Sequence, residues 1–387
     1  MTREFIDFVN AHKDEDTARL LLSASRYPSI DMPTAVQQIE GLRTAREKWP
    51  SFLACEDYRY PPRLNREQAS SEEAALHKTS IISPLTSRLS PFTVADLTGG
   101  MGIDTLAFAK VAEHVDYVEQ NPQLCALMEH NLRALGVANV TVHCADSMEW
   151  LSDNSCLFSL IFIDPARRDT HGRKVAGFEE CTPNILDYLD QLLSCCSTLM
   201  VKASPMIDID LACRQLRCVA DVHVVAIGGE CKEVLFLCRA NADEEPLIHC
   251  GAMAFTRSME AAAEADYCSA VGSYLYEPSA AFMKAGPYKL LGRRYGVCKL
   301  DRNSHLYTAD ALVDDFPGRC FRVLGELKLN RKEAVMATGG VAHVVTRNYP
   351  VAAADLQRRL GLREGGSLYI VASTISGTPR GWLCKRV

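Results

Sequence analysis

The chain has 387 residues, of which 48% are hydrophobic and 23% are charged, and its formal net charge is −6. This composition is typical of a globular protein and excludes collagen-like, disordered and membrane-spanning chains, since no uncharged apolar run approaches ~18 residues. We expect two or three domains and a cytoplasmic location, because the first residues show no signal-peptide pattern. The 16 cysteines contain no CxxC pair, so they are predicted to be reduced and mostly structural, with no metal site.

The charge is distributed unevenly along the chain. Residues 1–283 contain 24 Lys and Arg against 40 Asp and Glu, a net charge of −16, whereas residues 284–387 contain 18 against 8, a net charge of +10. Such asymmetry suggests that a basic C-terminal region binds a polyanion. The alternative is a basic domain that packs against the acidic part of the same molecule.

The first 75 residues have apolar side chains at the spacing expected of helices. One helix is predicted to start near Pro33, because proline suits the first helical turn, and to end before Pro50. Another helix follows residues 66–73, with Ser70 or Ser71 as a suitable N-cap.

Between about residues 90 and 240, short apolar strands alternate with longer helical segments, which is typical of βαβ units and a parallel sheet. The last two strands are separated only by residues 228–233, which are too few for a crossover helix. We therefore predict that these two strands form an antiparallel hairpin. The seven predicted strands are Thr93–Leu97, Val115–Glu119, Val140–Cys144, Leu157–Asp164, Leu199–Lys202, Val222–Ile227 and Val234–Cys238.

The C-terminal region has a different pattern. Periodicity is weak over residues 242–315, which are rich in Tyr, Gly and Ala. Beyond them, strand-like runs alternate with one helical run, which indicates a small α+β domain. The strand-like runs are Phe321–Val323, Ala342–Thr346 and Leu368–Ser373, and the helical run is Ala353–Leu360.

A glycine-rich turn follows the first predicted strand, in the sequence Asp96-Leu97-Thr98-Gly99-Gly100-Met101-Gly102-Ile103-Asp104-Thr105. Glycines let the backbone pass close to a nucleotide-like ligand, because no Cβ stands in the way. Thr105 stands where the third glycine of GxGxxG is needed, so binding of a pyrophosphate is disfavoured.

Acidic residues also stand at the ends of the next three strands. Glu119-Gln120 ends the second strand, where a carboxylate can accept both hydrogen bonds of a ribose diol. Asp146-Ser147 follows the third strand, in a position to bind an adenine amine, and Asp164-Pro165 ends the fourth. Any one of these acids could instead cap a helix or be a solvated charge; the combination favours a nucleoside site.

This arrangement resembles the class I S-adenosylmethionine-dependent methyltransferases, whose Rossmann-like sheet is doubly wound and has an antiparallel seventh strand. The resemblance implies S-adenosyl-L-methionine as cofactor. It also assigns a role in covering the cofactor to His77-Lys78-Thr79, for which a plain helix end is the alternative. The implied cofactor-binding residues are Asp96, Thr98, Gly99, Gly100, Gly102, Asp104, Glu119, Gln120, Asp146, Ser147 and Asp164.

The whole layout is similar to a bacterial family of methyltransferases with a C-terminal THUMP-like domain after a ferredoxin-like module. Residues 303–308 and 344–350 carry this likeness. The resemblance implies an α/β fold with a seven-stranded methyltransferase sheet, an N-terminal helical domain and two small α+β domains. The predicted boundaries are 1–75 for the helical domain, 76–241 for the methyltransferase domain, 242–315 for the ferredoxin-like module and 316–387 for the THUMP-like domain.

The residues after the fourth strand help to predict which atom of the substrate is methylated. Enzymes that methylate exocyclic amines of bases often have Asp/Asn-Pro-Pro-aromatic here. Ala166 and Arg167 depart from that pattern, which disfavours adenine N6. Uridine C5 enzymes need a cysteine after the fifth strand, where this chain has Lys202-Ala203-Ser204-Pro205. Direct transfer to a nitrogen of guanine is the hypothesis that remains.

Four residues are predicted to act at the target: Asp164, Pro165, Arg167 and Lys202. Asp164 would orient or deprotonate the nucleophile. Arg167, Arg168 or Lys202 would contact a phosphate or a base edge, although a solvated pair at a loop end is the alternative for the two arginines.

True THUMP domains bind RNA, usually tRNA, which agrees with the basic C-terminal region. The leading hypothesis is thus a methyltransferase that acts on structured RNA, either tRNA or rRNA. The alternatives are a small-molecule or protein substrate, or an RNA-binding protein that has lost catalysis. The predicted phosphate contacts are Arg293, Arg294, Lys328, Arg331, Lys332 and Arg347, and the predicted base-stacking residues are Tyr288, Tyr295, Tyr307 and Tyr349.

Overall fold

The computed structural model describes residues 2–154, 157–166, 177–179, 181–242 and 244–387. The chain forms two compact units, the first made of residues 1–220 and 234–244 and the second of residues 221–233 and 245–387. Within the described ranges, no helix has both the length and the apolar character needed to cross a membrane.

The N-terminal residues of the first unit are helical, as predicted. The long third helix has Pro33 in its first turn, and Ser71 caps the fifth helix by accepting a hydrogen bond from Ala74 N at 3.2 Å. These helices are α1 (Arg3–His12), α2 (Thr17–Leu22), α3 (Met32–Lys48), α4 (Arg63–Gln68) and α5 (Glu72–Thr86), with short 3-10 helices at Ala24–Arg26 and Pro50–Ala54.

The sheet of the first unit has the predicted strands. Its strand order is β3-β2-β1-β4-β5-β7, in which the first five strands are parallel and residues 234–238 of β7 run antiparallel to β5. The strands are β1 (Thr93–Asp96), β2 (His114–Glu119), β3 (Val140–Cys144), β4 (Phe158–Ile163), β5 (Cys196–Ala203) and residues 234–238 of β7 (Glu230–Cys238), whereas β6 (Val219–Ile227) belongs mainly to the second unit. The helices are α6 (Ile103–Phe108), α7 (Pro122–Leu135), α8 (Ser147–Asp153), α9 (Leu189–Ser194) and α10 (Ile209–Leu216).

The predicted hairpin is confirmed. Strands β6 and β7 are neighbours in the sheet and are joined by Gly228 and Gly229, which both have positive φ angles that other residues rarely adopt. All six residues of β4 are buried, as expected of a central strand in a parallel sheet.

The N-terminal helices and the first βα unit share a hydrophobic core. Trp49 and Tyr60 are buried together with Ala75 of α5, and they pack on Ile103 and Ala107 of α6. Because α6 follows the glycine-rich turn directly, the helices of the N-terminal region support that turn. Helix α5 also runs through the predicted domain boundary at residue 75.

The second unit contains two sets of strands. β6 pairs in parallel with β8 (Leu247–Cys250), and β8 pairs with β9 (Met253–Phe255). The second set is a seven-stranded sheet with the order β11-β12-β10-β13-β16-β15-β14. Its strands are β10 (Tyr274–Pro278), β11 (Cys298–Lys299), β12 (Tyr307–Ala309), β13 (Gly318–Glu326), β14 (His343–Arg347), β15 (Leu368–Ile375) and β16 (Thr378–Arg386). The helices are α11 (Arg257–Ala262), α12 (Ala280–Ala285), α13 (Tyr288–Tyr295), α14 (Arg331–Thr338) and α15 (Ala353–Leu360).

Beyond residue 316, the sequence pattern does not predict two of the elements that the structure contains. Helix α14 buries only Ala334 and Thr338, which is too narrow an apolar stripe to detect from periodicity. Strand β16 begins with the exposed residues Thr378-Pro379-Arg380, so its buried residues follow a stretch that does not have the pattern of a strand. The prediction that Tyr307 stacks on bases is wrong, since this residue is fully buried and its hydroxyl donates to Tyr288 O at 2.7 Å.

Candidate active site

The glycine-rich turn between β1 and α6 needs its glycines for steric reasons. A Cβ at Gly99 would lie 2.2 Å from the ring of Tyr117, and one at Gly102 would lie 2.4 Å from Met128 Sδ. At Gly100 the nearest atom to a Cβ would be Thr98 O at 3.7 Å. The turn is thus packed against the protein at two glycines and has open space at the third, where a ligand can approach the backbone. This geometry fits the close approach of S-adenosylmethionine that the resemblance implies.

Glu119, at the end of β2, is hydrogen-bonded to the same turn. Its Oε2 accepts a hydrogen bond from Gly100 N at 3.0 Å, and its Oε1 accepts one from Asn121 N at 2.8 Å. The two backbone donors orient the half-buried carboxylate. Since each carboxylate oxygen has a second lone pair, Glu119 retains the capacity to accept ribose hydroxyls. Gln120 beside it is exposed.

Asp146 is the N-cap of α8. Its Oδ1 accepts hydrogen bonds from Met148 N at 2.9 Å and Glu149 N at 3.1 Å. Asp146 therefore does cap a helix, as one of the alternatives predicted, although capping engages only one of its two oxygens. Asp146 is exposed at the carboxyl end of β3, and Ser147 is the first residue of the helix.

Asp96 lies beneath the turn and is only 1% exposed. Its Oδ1 accepts a hydrogen bond from Thr98 N at 3.1 Å, and its Oδ2 accepts one from Thr105 Oγ1 at 2.5 Å. Thr98 Oγ1 in turn accepts a hydrogen bond from Asp164 N at 2.7 Å. Asp96 thus fixes the turn from inside, and Thr98 connects the turn to the end of β4. Burial raises the pKa of Asp96 to about 7.

This raised pKa predicts how stability depends on pH. Because the folded state keeps the Asp96 proton to a higher pH than the unfolded state, the contribution of this group is complete below its unfolded pKa of about 4 and is lost as pH rises towards 7. We expect the free energy of unfolding of the wild type, relative to Asp96→Asn, to fall over that window. Urea denaturation at a series of pH values measures the difference, and a difference that is independent of pH would contradict the assignment.

A cluster of buried charges connects β4, β5, α5 and α6. Lys202 Nζ lies 2.5 Å from Asp164 Oδ2 and 3.1 Å from Ser70 Oγ. Ser70 donates a hydrogen bond to Asp104 Oδ2 at 2.7 Å, and Lys78 Nζ lies 3.0 Å from Asp104 Oδ1. Ser70 Oγ therefore contacts both ammonium groups and Asp104, while Asp164 joins through Lys202. We call these five residues the charged cluster.

The charged cluster lies almost entirely inside the protein. The side chain of Lys78 is fully buried and that of Lys202 is 6% exposed, whereas that of Asp164 is 25% exposed. Burial alone would raise the pKa of Asp104, but the ammonium groups of Lys78 and Lys202 hold it below its usual range. The cluster thus reaches the surface at Asp164, whose Oδ1 takes part in no hydrogen bond with the described residues.

The remaining predicted site residues differ in burial and in the contacts that they make. Pro165 is buried and Ala166 is exposed, with backbone hydrogen bonds between Ala166 and Thr182. Arg167 and Arg168 lie outside the described residues. Both oxygens of Asp104 are engaged within the charged cluster. The sequence predicts Ser70 only as a possible helix cap, and nothing in the local sequence indicates its contacts with Lys202 and Asp104.

The basic residues predicted to bind RNA lie in the second unit. Five of them are exposed: Arg293 and Arg294 at the end of α13, Lys328 just before α14, and Arg331 and Lys332 at the start of α14. Arg347 differs, because its guanidinium pairs at 2.5 Å with Glu277, which is 2% exposed and also pairs with Arg319.

Three family models match separate parts of the chain. Residues 92–173 match the RNA cap guanine-N2 methyltransferase family, residues 274–317 match a ferredoxin-like domain, and residues 318–386 match a THUMP domain-like family. These are the three kinds of domain that the resemblance in the sequence implied.

Individual proteins agree with this assignment. The crystal structure of a candidate methyltransferase from Porphyromonas gingivalis W83 is 28% identical, with 99% of this chain and 98% of that chain covered and a TM-score of 0.85. Uncharacterized S-adenosylmethionine-dependent methyltransferases from two strains of Mycobacterium tuberculosis, CDC 1551 / Oshkosh and H37Rv, are each 24% identical over 315 residues, 80% of this chain and 83% of theirs. The chain is an S-adenosylmethionine-dependent methyltransferase with C-terminal ferredoxin-like and THUMP-like domains.

Proposed function

We propose that this enzyme methylates a nitrogen of guanine in structured RNA, either tRNA or rRNA, in the cytoplasm. The observation that carries the proposal is the match of residues 92–173 to the RNA cap guanine-N2 methyltransferase family, over the segment that contains the glycine-rich turn and Asp164. The THUMP domain-like match and the +10 charge of residues 284–387 favour RNA over a small molecule.

Methyl transfer from a sulfonium requires the protein mainly to position the reactants. S-adenosylmethionine supplies a methyl group on a sulfonium, which is transferred by in-line displacement. Glu119 and the glycine-rich turn would hold the cofactor. Asp164 would accept a hydrogen bond from the guanine amine through Oδ1, while Lys202 holds Oδ2 in place. The amine nitrogen is thereby oriented, and its proton has an acceptor as the new carbon–nitrogen bond forms.

Label transfer tests the proposal directly. The full-length protein is incubated with cofactor carrying a labelled methyl group and with total RNA from a strain that lacks the gene; the RNA is then digested to nucleosides and analysed by mass spectrometry. We expect label in a methylated guanosine, and RNA from the parent strain, already modified, should accept less. Label that appears only in another nucleoside would overturn the guanine assignment, and label only in protein or small molecules would overturn the RNA substrate.

RNA docking is tested separately by the salt dependence of binding. We expect the triple variant Lys328→Gln, Arg331→Gln, Lys332→Gln to bind total tRNA more weakly. The slope of log K against log salt should fall by about one for each lost phosphate contact. Gel shift across a salt series measures this, with Arg63→Gln, an exposed arginine of the first unit, as the control. Equal slopes for the wild type and the triple variant would contradict docking through α14.

A further inference from the structure

Two histidines and an aspartate converge in the second unit, on strands β6 and β8. One potential ligand atom from each of Asp221, His223 and His249 lies within 4.8 Å of the other two. Among the residues that the structure describes, no other three His, Cys, Asp or Glu side chains meet this condition. The carboxylate and one imidazole are already close, since His249 Nε2 lies 3.0 Å from Asp221 Oδ1.

The backbone explains why these side chains meet. Asp221 and His223 are two residues apart on β6, so both point to the same face of the sheet. His223 and His249 are direct partners in the parallel pairing of β6 with β8. Their rings stack with centroids 4.3 Å apart and an angle of 3° between planes. Three donors on two hydrogen-bonded strands are thus held at fixed spacing by the sheet.

We propose that Asp221, His223 and His249 bind a zinc ion. Imidazole nitrogens and carboxylate oxygens bind zinc at about 2.0–2.2 Å, so two ligands of a tetrahedral ion lie roughly 3.4 Å apart. The three donor atoms lie within 4.8 Å of one another, and the two stacked imidazole rings would turn out of their parallel orientation so that one nitrogen of each points at the ion. Three protein ligands leave the fourth position of the ion for water.

The chemistry of the donors favours zinc over a hard cation. Calcium and magnesium take mainly oxygen ligands, whereas imidazole suits zinc and its neighbours among the transition metals. The site is half-buried, with side-chain exposures of 21% for Asp221 and 30% for His249, so an ion can enter from solvent. Cysteine spacing did not predict this site, because its ligands are not cysteines and come from two strands.

The expected effect of the ion is structural. It would connect β6 to β8 through side chains in addition to their backbone hydrogen bonds. An ion that binds the folded state in preference to the unfolded state stabilises the fold by mass action. Zinc is therefore expected to raise the midpoint of thermal unfolding of the full-length protein, whether or not cofactor or RNA is present.

The first experiment measures binding of zinc and cobalt(II) to the metal-stripped full-length protein. We expect one equivalent of zinc by calorimetry. Cobalt at this site should give visible d–d bands without the thiolate charge-transfer band that cysteine ligation produces. His223→Asn and His249→Asn should each weaken binding by at least about tenfold, since even loss of a residue that only supports a ligand costs 10–100-fold. Asp221→Asn serves as a third variant should either of the others fail to fold.

The control is His343→Asn. His343 is also a strand histidine of the second unit near a carboxylate, 3.6 Å from Glu364 with 31% side-chain exposure, but it belongs to no group of three donors. It should bind zinc like the wild type. A wild-type protein that binds no equivalent of zinc, or that binds it equally well after loss of His223 or His249, would overturn the proposal. So would a thiolate charge-transfer band, since it would place the ion on cysteines.

Discussion

Asp164→Asn is expected to lower the rate of methyl transfer to RNA by at least about 10²-fold, the scale of a positioned group that accepts a proton. The amide keeps the size of the side chain but loses the charge that orients the guanine amine. It also removes the ion pair with Lys202 Nζ. Binding of S-adenosylmethionine should remain measurable, because Glu119 and the glycine-rich turn are unchanged.

Two measurements separate this effect from misfolding. Calorimetry with the cofactor reports an intact binding site, and single-turnover label transfer reports the chemical step. The control is Asp153→Asn, at the exposed end of α8, which should transfer methyl groups like the wild type. Full turnover in Asp164→Asn would exclude the proposed role of this carboxylate.

Lys78→Met is expected to lower the free energy of unfolding by about 3–5 kcal/mol, the cost of leaving a buried charge without its partner. Lys78 is fully buried and its ammonium lies 3.0 Å from Asp104 Oδ1. Without it, Asp104 keeps Ser70 and the more distant Lys202. Chemical denaturation measures the change.

A double variant tests whether the loss comes from the charge. Lys78→Met combined with Asp104→Leu replaces the pair by apolar side chains, a change that is often neutral or stabilising. We expect the double variant to recover much of the stability lost by Lys78→Met alone. As a control, Glu67→Gln removes an exposed partner of Arg63 and should leave the midpoint unchanged. If Lys78→Met unfolds at the wild-type midpoint, the charged cluster does not stabilise the fold.

Much of the fold could be predicted from the sequence because it depends on short-range patterns. Alternation of short apolar runs with helical segments predicts the strands β1 to β7, and the short connection at residues 228–233 predicts the hairpin. The cap at Ser71 and the start of α3 near Pro33 also follow from residues within one helical turn. Weak periodicity explains the failures, of which α14 and the unassigned elements between 242 and 315 are examples.

The candidate site could be predicted only in part. The glycine-rich turn, Glu119 and Asp164 are recognisable because each stands at the end of a strand, and the carboxyl ends of parallel strands meet at one edge of a sheet. The sequence also determined the uneven charge, which the net value of −6 conceals.

Only the tertiary structure shows which charges meet. Ser70 and Lys202 are 132 residues apart, yet they share a hydrogen bond inside the protein. Arg347 pairs with the buried Glu277, a contact that its local sequence does not indicate. His223 and His249 meet because β6 and β8 pair in one register. The physical reason is that local propensity and periodicity act within a few residues, whereas desolvated charges are stabilised by partners that the fold brings from distant parts of the chain.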